Sequence, residues 1–167
     1  YSRDSLAPTV VPYMKEYIEN YRRRIKNEQD AEALMMYALY LIEAAKRTLD
    51  PHDSEKQARK YREALLSESV KIIKKLATSG TAPGKPPYAD AQFYLANCYG
   101  NGKLGMSIDH AKSYHLYVQA SKQNHPAATY RTAVCNEVGA GTKRNPKLGV
   151  LFYRKAASLG DTAGMYK

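Results

Sequence analysis

The chain repeats itself. Residues 89–126, ADAQFYLANCYGNGKLGMSIDHAKSYHLYVQASKQNHP, lie over residues 126–162 at an offset of 37 that falls to 36 after one extra residue at Leu104. Ala91 then meets Ala128, Phe93 meets Tyr130, Ala96 meets Ala133, Cys98 meets Cys135 and Gly102 meets Gly139. Beyond the extra residue, Gly105 meets Gly141, Asp109 meets Asn145, Tyr117 meets Tyr153 and Ala120 meets Ala156. Matches that mix small, aromatic and turn residues do not come from bulk composition, and a period of roughly 36 residues is that of one helix pair. A third, stretched copy begins at Ala33, where YALYLIEAA aligns with LANCYGNG and KKLATSG (74–80) with RKAASLG (154–160); a fourth begins at Ala163. A helix pair of this length cannot bury its apolar face alone, so neighbours must stack. The expected fold class is all-α, a right-handed superhelical α-solenoid of helix-turn-helix repeats.

Apolar spacing agrees with helices nearly everywhere. Tyr13, Tyr17, Tyr21 and Ile25 recur every four residues beside Met14 and Ile18, which predicts one apolar stripe on a helix starting at Pro12, a residue suited to a first turn. Further helices are expected over about Asp30–Arg47 and Ser54–Thr78, the latter stopped by Gly80, with a Pro-rich turn over Thr81–Pro87. Within the repeat, Ala96 and Ala133 are small where the paired helix crosses closely, and Gly102, Gly105, Gly139 and Gly141 stand where a chain leaving a helix needs positive φ. Asp109 and Asn145 read as N-caps, and Pro146 follows at a first helical position. The expected organisation is a lead and capping helix over 1–30, a first repeat and linker over 31–88, repeats over 89–126 and 127–162, and the start of another over 163–167. The first residue is Tyr rather than Met, so both ends are expected to be cut from a longer chain.

Twenty-six Lys and Arg against 16 Asp and Glu give a net charge of +10. Residues 1–80 carry an excess of +3 and residues 81–167 an excess of +7, so the second half supplies most of the field. No basic run reaches the length of a nucleic-acid patch; the densest, Arg22-Arg23-Arg24, is flanked by Glu16, Glu19 and Glu28. Fifteen Tyr against two Phe and no Trp suit half-buried positions and interfaces better than a dry centre. The sequence shows no long apolar span and no visible apolar leader, which points to a soluble protein of a reducing compartment.

Catalytic chemistry finds no foothold, and neither cofactor nor metal is expected. His52, His110, His115 and His125 form no i, i+4 pair and have no Cys at zinc-finger spacing. The Gly-x-Gly at 139–141 follows a helix, whereas a dinucleotide loop follows a strand. No carboxylate pair is isolated in an apolar context. Cys98 and Cys135 hold equivalent places in adjacent units, about one helix-pair width apart and beyond disulfide reach, so free buried thiols are expected.

The run of small residue, Tyr or Leu, small residue, Cys, Gly-x-Gly, Asp or Asn cap and aromatic-Lys-Ala-Ala-x-x-Gly resembles the Sel1-like repeat, a cousin of the tetratricopeptide repeat, from Ala31 to Lys167. The strings AVCNEVGAGTKRNPKLGVLFYRKAASLGDTAGMYK and ANCYGNGKLGM, with the DAEALMMYALYLIEAA helix, are similar to the yeast regulators of chitin synthase. What the resemblance implies is a non-enzymatic adaptor that binds, activates and localises a membrane-embedded chitin synthase and links it to a septin-associated scaffold. Its place would be cytoplasmic, peripheral to the plasma membrane at the bud neck or septum. Relatives can carry a C-terminal prenylation box, which does not occur in these 167 residues. The first repeat departs from the pattern by an insertion over roughly Thr48–Tyr61 and by the Pro-rich segment before Tyr88. Free thiols also argue against the secreted bacterial members, whose units are each closed by a disulfide.

The first helix of each unit normally lines the concave face of a superhelix. With Ala91, Leu95, Ala96 and Tyr99 inward, Tyr94, Asn97 and Asn101 fall on the other side, with Arg131 and Met36 the counterparts of Tyr94. These five are the expected protein-binding residues. Two rivals stand beside this reading. A repeat adaptor of an endoplasmic-reticulum ubiquitin ligase should show a signal peptide and Asn-x-Ser/Thr sites, and no such site occurs. A basic solenoid binding RNA or anionic lipid should show steep salt dependence, although no nucleic acid is expected as partner.

Overall fold

The computed structural model describes residues 13–164, and among them every regular element is an α-helix. The helices are α1 (Lys15–Ile25), α2 (Ala31–Arg47), α3 (Glu55–Thr78), α4 (Ala89–Asn101), α5 (His110–Lys122), α6 (Pro126–Val138) and α7 (Pro146–Gly164). They form two compact units that divide inside α3, at Ile72 and Ile73. Pro12, expected to open the first helix, and the last residues of the expected further repeat, 165–167, lie outside the described residues.

In the first unit α1 and α2 pack with the first part of α3. Ile18, Tyr37, Leu41, Ala44, Ala45 and Leu65 are buried together, with Tyr13, Tyr21, Ile25 and Tyr40 partly buried around them. The tyrosines stack: Tyr13 on Tyr40 with ring centres 5.3 Å apart, and Tyr21 against Tyr37 and Tyr40 at 5.0 and 4.9 Å. The expected α1 stripe needs correction, because Tyr17 is exposed and Ile18 is fully buried. A strict four-residue step overshoots the 3.6-residue turn by roughly 40°, so the stripe drifts off the face that Ile18, Tyr21 and Ile25 share. Asp30 caps α2 by accepting from Ala33 N–H at 3.1 Å. Ser54 and Gln57 form a reciprocal capping box at 3.1 and 2.8 Å, which starts α3 and turns the second half of the Thr48–Tyr61 insertion into helix.

The second unit shows the repeat as geometry. Gly80 (φ 73°) ends α3, and Gly102 (φ 65°) and Gly139 (φ 78°) end α4 and α6. Asp109 N–H donates to Tyr99 O at 2.9 Å, and the equivalent Asn145 N–H to Asn136 O at 2.7 Å. The side chains of Asp109 and Asn145 then cap α5 and α7 from Lys112 N–H (3.0 Å) and Leu148 N–H (3.1 Å). Leu104, the extra residue, takes φ 55°, so the added length is absorbed in a left-handed turn rather than in a helix. Helices cross at small residues: Ser113 Oγ donates to Ala96 O at 2.7 Å, and a Cβ on the equivalent Gly149 would stand 3.3 Å from Ala133 O. Asn124 (φ 64°) closes α5 where Gly80 closes α3, whereas α7 runs on through Gly160 to Gly164, past the Ala163 at which the alignment starts a fresh copy. Among the described residues a Cβ at Gly160 meets nothing within 4 Å, while one at Gly80 would strike Pro86 O at 2.6 Å, where the chain turns back past the end of α3.

The seams between hairpins are polar and paired. Gln92 Nε2 donates to Ala77 O at the end of α3 at 3.1 Å. At the equivalent place, Ser121 and Thr129 hydroxyls meet at 2.7 Å. Lys155 Nζ also donates to Ser121 O at 2.7 Å, supplying a donor to the open end of α5.

Candidate protein-binding surface

Helices α4 and α6 present equivalent faces, fixed by the buried Ala91, Leu95 and Ala96 in one and Ala128, Thr132 and Ala133 in the other. Tyr99, expected inward with them, is only half-buried. On the opposite side of α4, Tyr94 and Asn97 are half-buried and Asn101 is exposed. Arg131 is exposed on α6. Asn97 and Arg131 meet through one ring of α5: the Tyr117 hydroxyl donates to Asn97 Oδ1, and the Arg131 guanidinium lies 5.9 Å from the centre of the Tyr117 ring. Tyr94 stands one turn before Cys98, and burial raises its phenol pKa, with the nearby thiol adding to the shift. Met36, in the first unit, is 60% exposed between buried Met35 and Tyr37.

Several side chains here were not singled out from the sequence. Phe93 stacks on His125 at 4.8 Å and tilts against Tyr117 at 5.9 Å. His125 Nδ1 accepts from Ala128 N–H at 3.1 Å to cap α6, which leaves Nε2–H to donate to Asp90 at 2.8 Å. Tyr130 is half exposed and packs edge-on against Tyr153 at 5.6 Å. The Tyr153 hydroxyl donates to Glu137 at 2.6 Å, and that bond to a carboxylate pushes its pKa up to about 12. The pairing of Phe93 with Tyr130 in the repeat was the available signal.

Both cysteines are free; Cys98 is buried as expected, but Cys135 is only half-buried, a correction. The residues one turn earlier differ in the same sense: half-buried Tyr94 stands before Cys98 and exposed Arg131 before Cys135. Burial raises both thiols above their ordinary pKa, opposed by Lys103 at Cys98 and by Arg131 at Cys135. Among the described residues no group of three His, Cys, Asp or Glu is placed to hold a metal ion, and no helix is long and apolar enough to cross a membrane. The surface offers aromatic rings, amides and one guanidinium, the chemistry of recognition.

Comparison with known proteins agrees with this geometry. The Sel1 repeat family matches residues 89–125 and 126–161. The chitin synthase regulator SKT5 of Saccharomyces cerevisiae is 33% identical over 168 residues, 95% of this chain and 23% of that protein. Chitin synthase regulatory factor 2 of Schizosaccharomyces pombe is 35% identical over 80 residues, 48% of this chain and 16% of its own length. The chain thus spans about a quarter or less of these relatives. Among solved structures, a Sel1 repeat protein from Oxalobacter formigenes matches with a TM-score of 0.57 at 19% identity, over 86% of this chain and 90% of that one. The protective antigen c5321 of uropathogenic Escherichia coli matches with a TM-score of 0.64 at 20% identity, over 86% of this chain and 26% of its own. Both share the all-helical repeat fold. Repeats, fold and relatives converge: residues 89–161 form two Sel1 repeats, and the chain is similar to the yeast chitin synthase regulators.

Proposed function

We propose that the chain is a non-enzymatic adaptor that binds a chitin synthase, raises its activity and helps to localise it. The observation that carries this reading is the 33% identity to a chitin synthase regulator along 95% of the chain. A binding protein activates an enzyme only through higher affinity for its competent state, or by holding it where it acts. In this reading the face with Tyr94, Asn97, Asn101 and Arg131 contacts a cytoplasmic region of the synthase, and Met36 adds an apolar contact from the first unit. A septin-associated scaffold is the second partner, and the place of action is the cytoplasmic side of the plasma membrane at the bud neck or septum. Tyr and Arg on this face suit the role because both are enriched in binding hot spots.

Co-purification with the cytoplasmic region of a chitin synthase tests it. The native chain is expected to retain that region, and Tyr94→Ala with Arg131→Ala to weaken retention by roughly tenfold or more, since each hot-spot truncation costs about 1–2 kcal/mol or above. Unchanged retention with intact helicity by circular dichroism would discard this face. No retention by the native chain would discard the synthase as partner.

A further inference from the structure

A groove opens on the other side of α4, bounded by the end of α3, α4 and α5, with a volume of about 400 Å³. Leu95 and Leu116, both buried against the protein, form its floor with half-buried Tyr99. Exposed Lys74, Lys112 and His115 stand on its rim, and no acidic side chain lines it. Lys112 Nζ sits 5.4 Å from the Tyr99 ring centre and 4.0 Å from Asp109, an exposed pair too weak to neutralise it. Leu95 and Tyr99 lie one turn apart on α4 and about 150° around the helix from the centre of the Tyr94, Asn97 and Asn101 face. The groove is therefore separate from the surface assigned above.

Its chemistry selects an occupant. An apolar floor of this size takes one or two aliphatic or aromatic side chains, which a phosphate group would leave unfilled. The cationic rim, with Lys112 and His115 in the half of the chain that carries an excess of +7 and Lys74 added from the end of α3, favours carboxylates beside those side chains. We propose that this groove docks a short segment of a partner polypeptide that presents apolar side chains flanked by aspartate or glutamate. The chain then has two recognition faces on opposite sides of one helix, each able to hold its own partner.

Fluorescence anisotropy with the 167-residue chain tests this. The probe is a labelled synthetic peptide with Leu and Phe one helical turn apart among glutamates, compared with the same peptide carrying lysine for every glutamate. Saturable binding of the acidic peptide alone is expected, weakening as salt rises. Lys74→Glu with Lys112→Glu should lower the affinity by about tenfold or more. Ala111→Glu, at an exposed position lining the groove, should do the same without touching either lysine, and Arg131→Ala on the other face should leave affinity unchanged. Equal affinity for both peptides, no saturable binding, or indifference to both groove variants with helicity intact would overturn the proposal. Displacement of the peptide by phosphatidylserine vesicles as readily as by unlabelled peptide would also overturn it, giving the groove to a membrane surface.

Discussion

The carboxylate of Glu68 gathers two partners from other helices. Arg22 donates from Nε at 3.1 and 3.2 Å and from Nη2 at 2.6 Å, and the buried Tyr37 donates its hydroxyl at 2.6 Å. Burial alone would raise the Glu68 pKa, but the hydrogen bonds from Arg22 and Tyr37, with the guanidinium charge, outweigh it and hold the carboxyl below its ordinary 4.5. A folded pKa below the unfolded one means that the stabilisation is fully present above about pH 4.5 and is lost as the pH falls through the folded value. Glu68→Gln is therefore expected to cost about 1 kcal/mol at neutral pH, a figure discounted because roughly a third of each side chain meets solvent, and to flatten the loss of stability below about pH 5. Urea unfolding midpoints of the two proteins between pH 3 and 7 check this; parallel curves would refute the assignment. None of it is legible in the sequence, where Arg22 reads only as part of the Arg22-Arg23-Arg24 cluster flanked by acidic residues. Its partner lies 46 residues away, and nothing local encodes the pairing.

Elements were read best where their signal is local. Asp30, Ser54, Asp109 and Asn145 each announce a helix start within a few residues, because a cap bonds to the turn beside it. The ends are subtler. Gly105 and Gly141 occupy matched places with nearly equal φ, 75° and 74°, yet a Cβ at Gly105 meets nothing within 4 Å while one at Gly141 would stand 2.0 Å from His110 O. Gly105→Ala should cost only the left-handed strain of about 1–2 kcal/mol. Gly141→Ala should cost at least about 2 kcal/mol more, since the loop of one hairpin packs on the first turn of α5. Equal losses in thermal or chemical unfolding would contradict this. The alignment identifies the pair as equivalent and is blind to the neighbour that separates them.

For the molecule as a whole, the period revealed what each helix pair contacts without revealing what lies open between pairs. The floor and rim of the basic groove come from positions 74 to 116, on three helices. No spacing rule joins them; their meeting depends on how far α3 reaches before Gly80 turns it. The bridge from Asn97 through Tyr117 to Arg131 is hidden for the same reason, although Asn97 and Arg131 are both among the expected protein-binding residues. If the two faces of α4 work independently, Lys74→Glu with Lys112→Glu should still retain a chitin synthase cytoplasmic region as the parent does, and loss on both faces together would show them to be one site.

The recurring bond between hairpins, Gln92 to Ala77 and Thr129 to Ser121, has a practical corollary for anyone shortening the chain. A cut placed between two hairpins strands a hydroxyl or a carbonyl on one fragment and its mate on the other, each formerly dry. Such fragments should be less soluble than their composition suggests, and restoring the mate by adding the neighbouring hairpin in trans should rescue them where an unrelated helix pair does not.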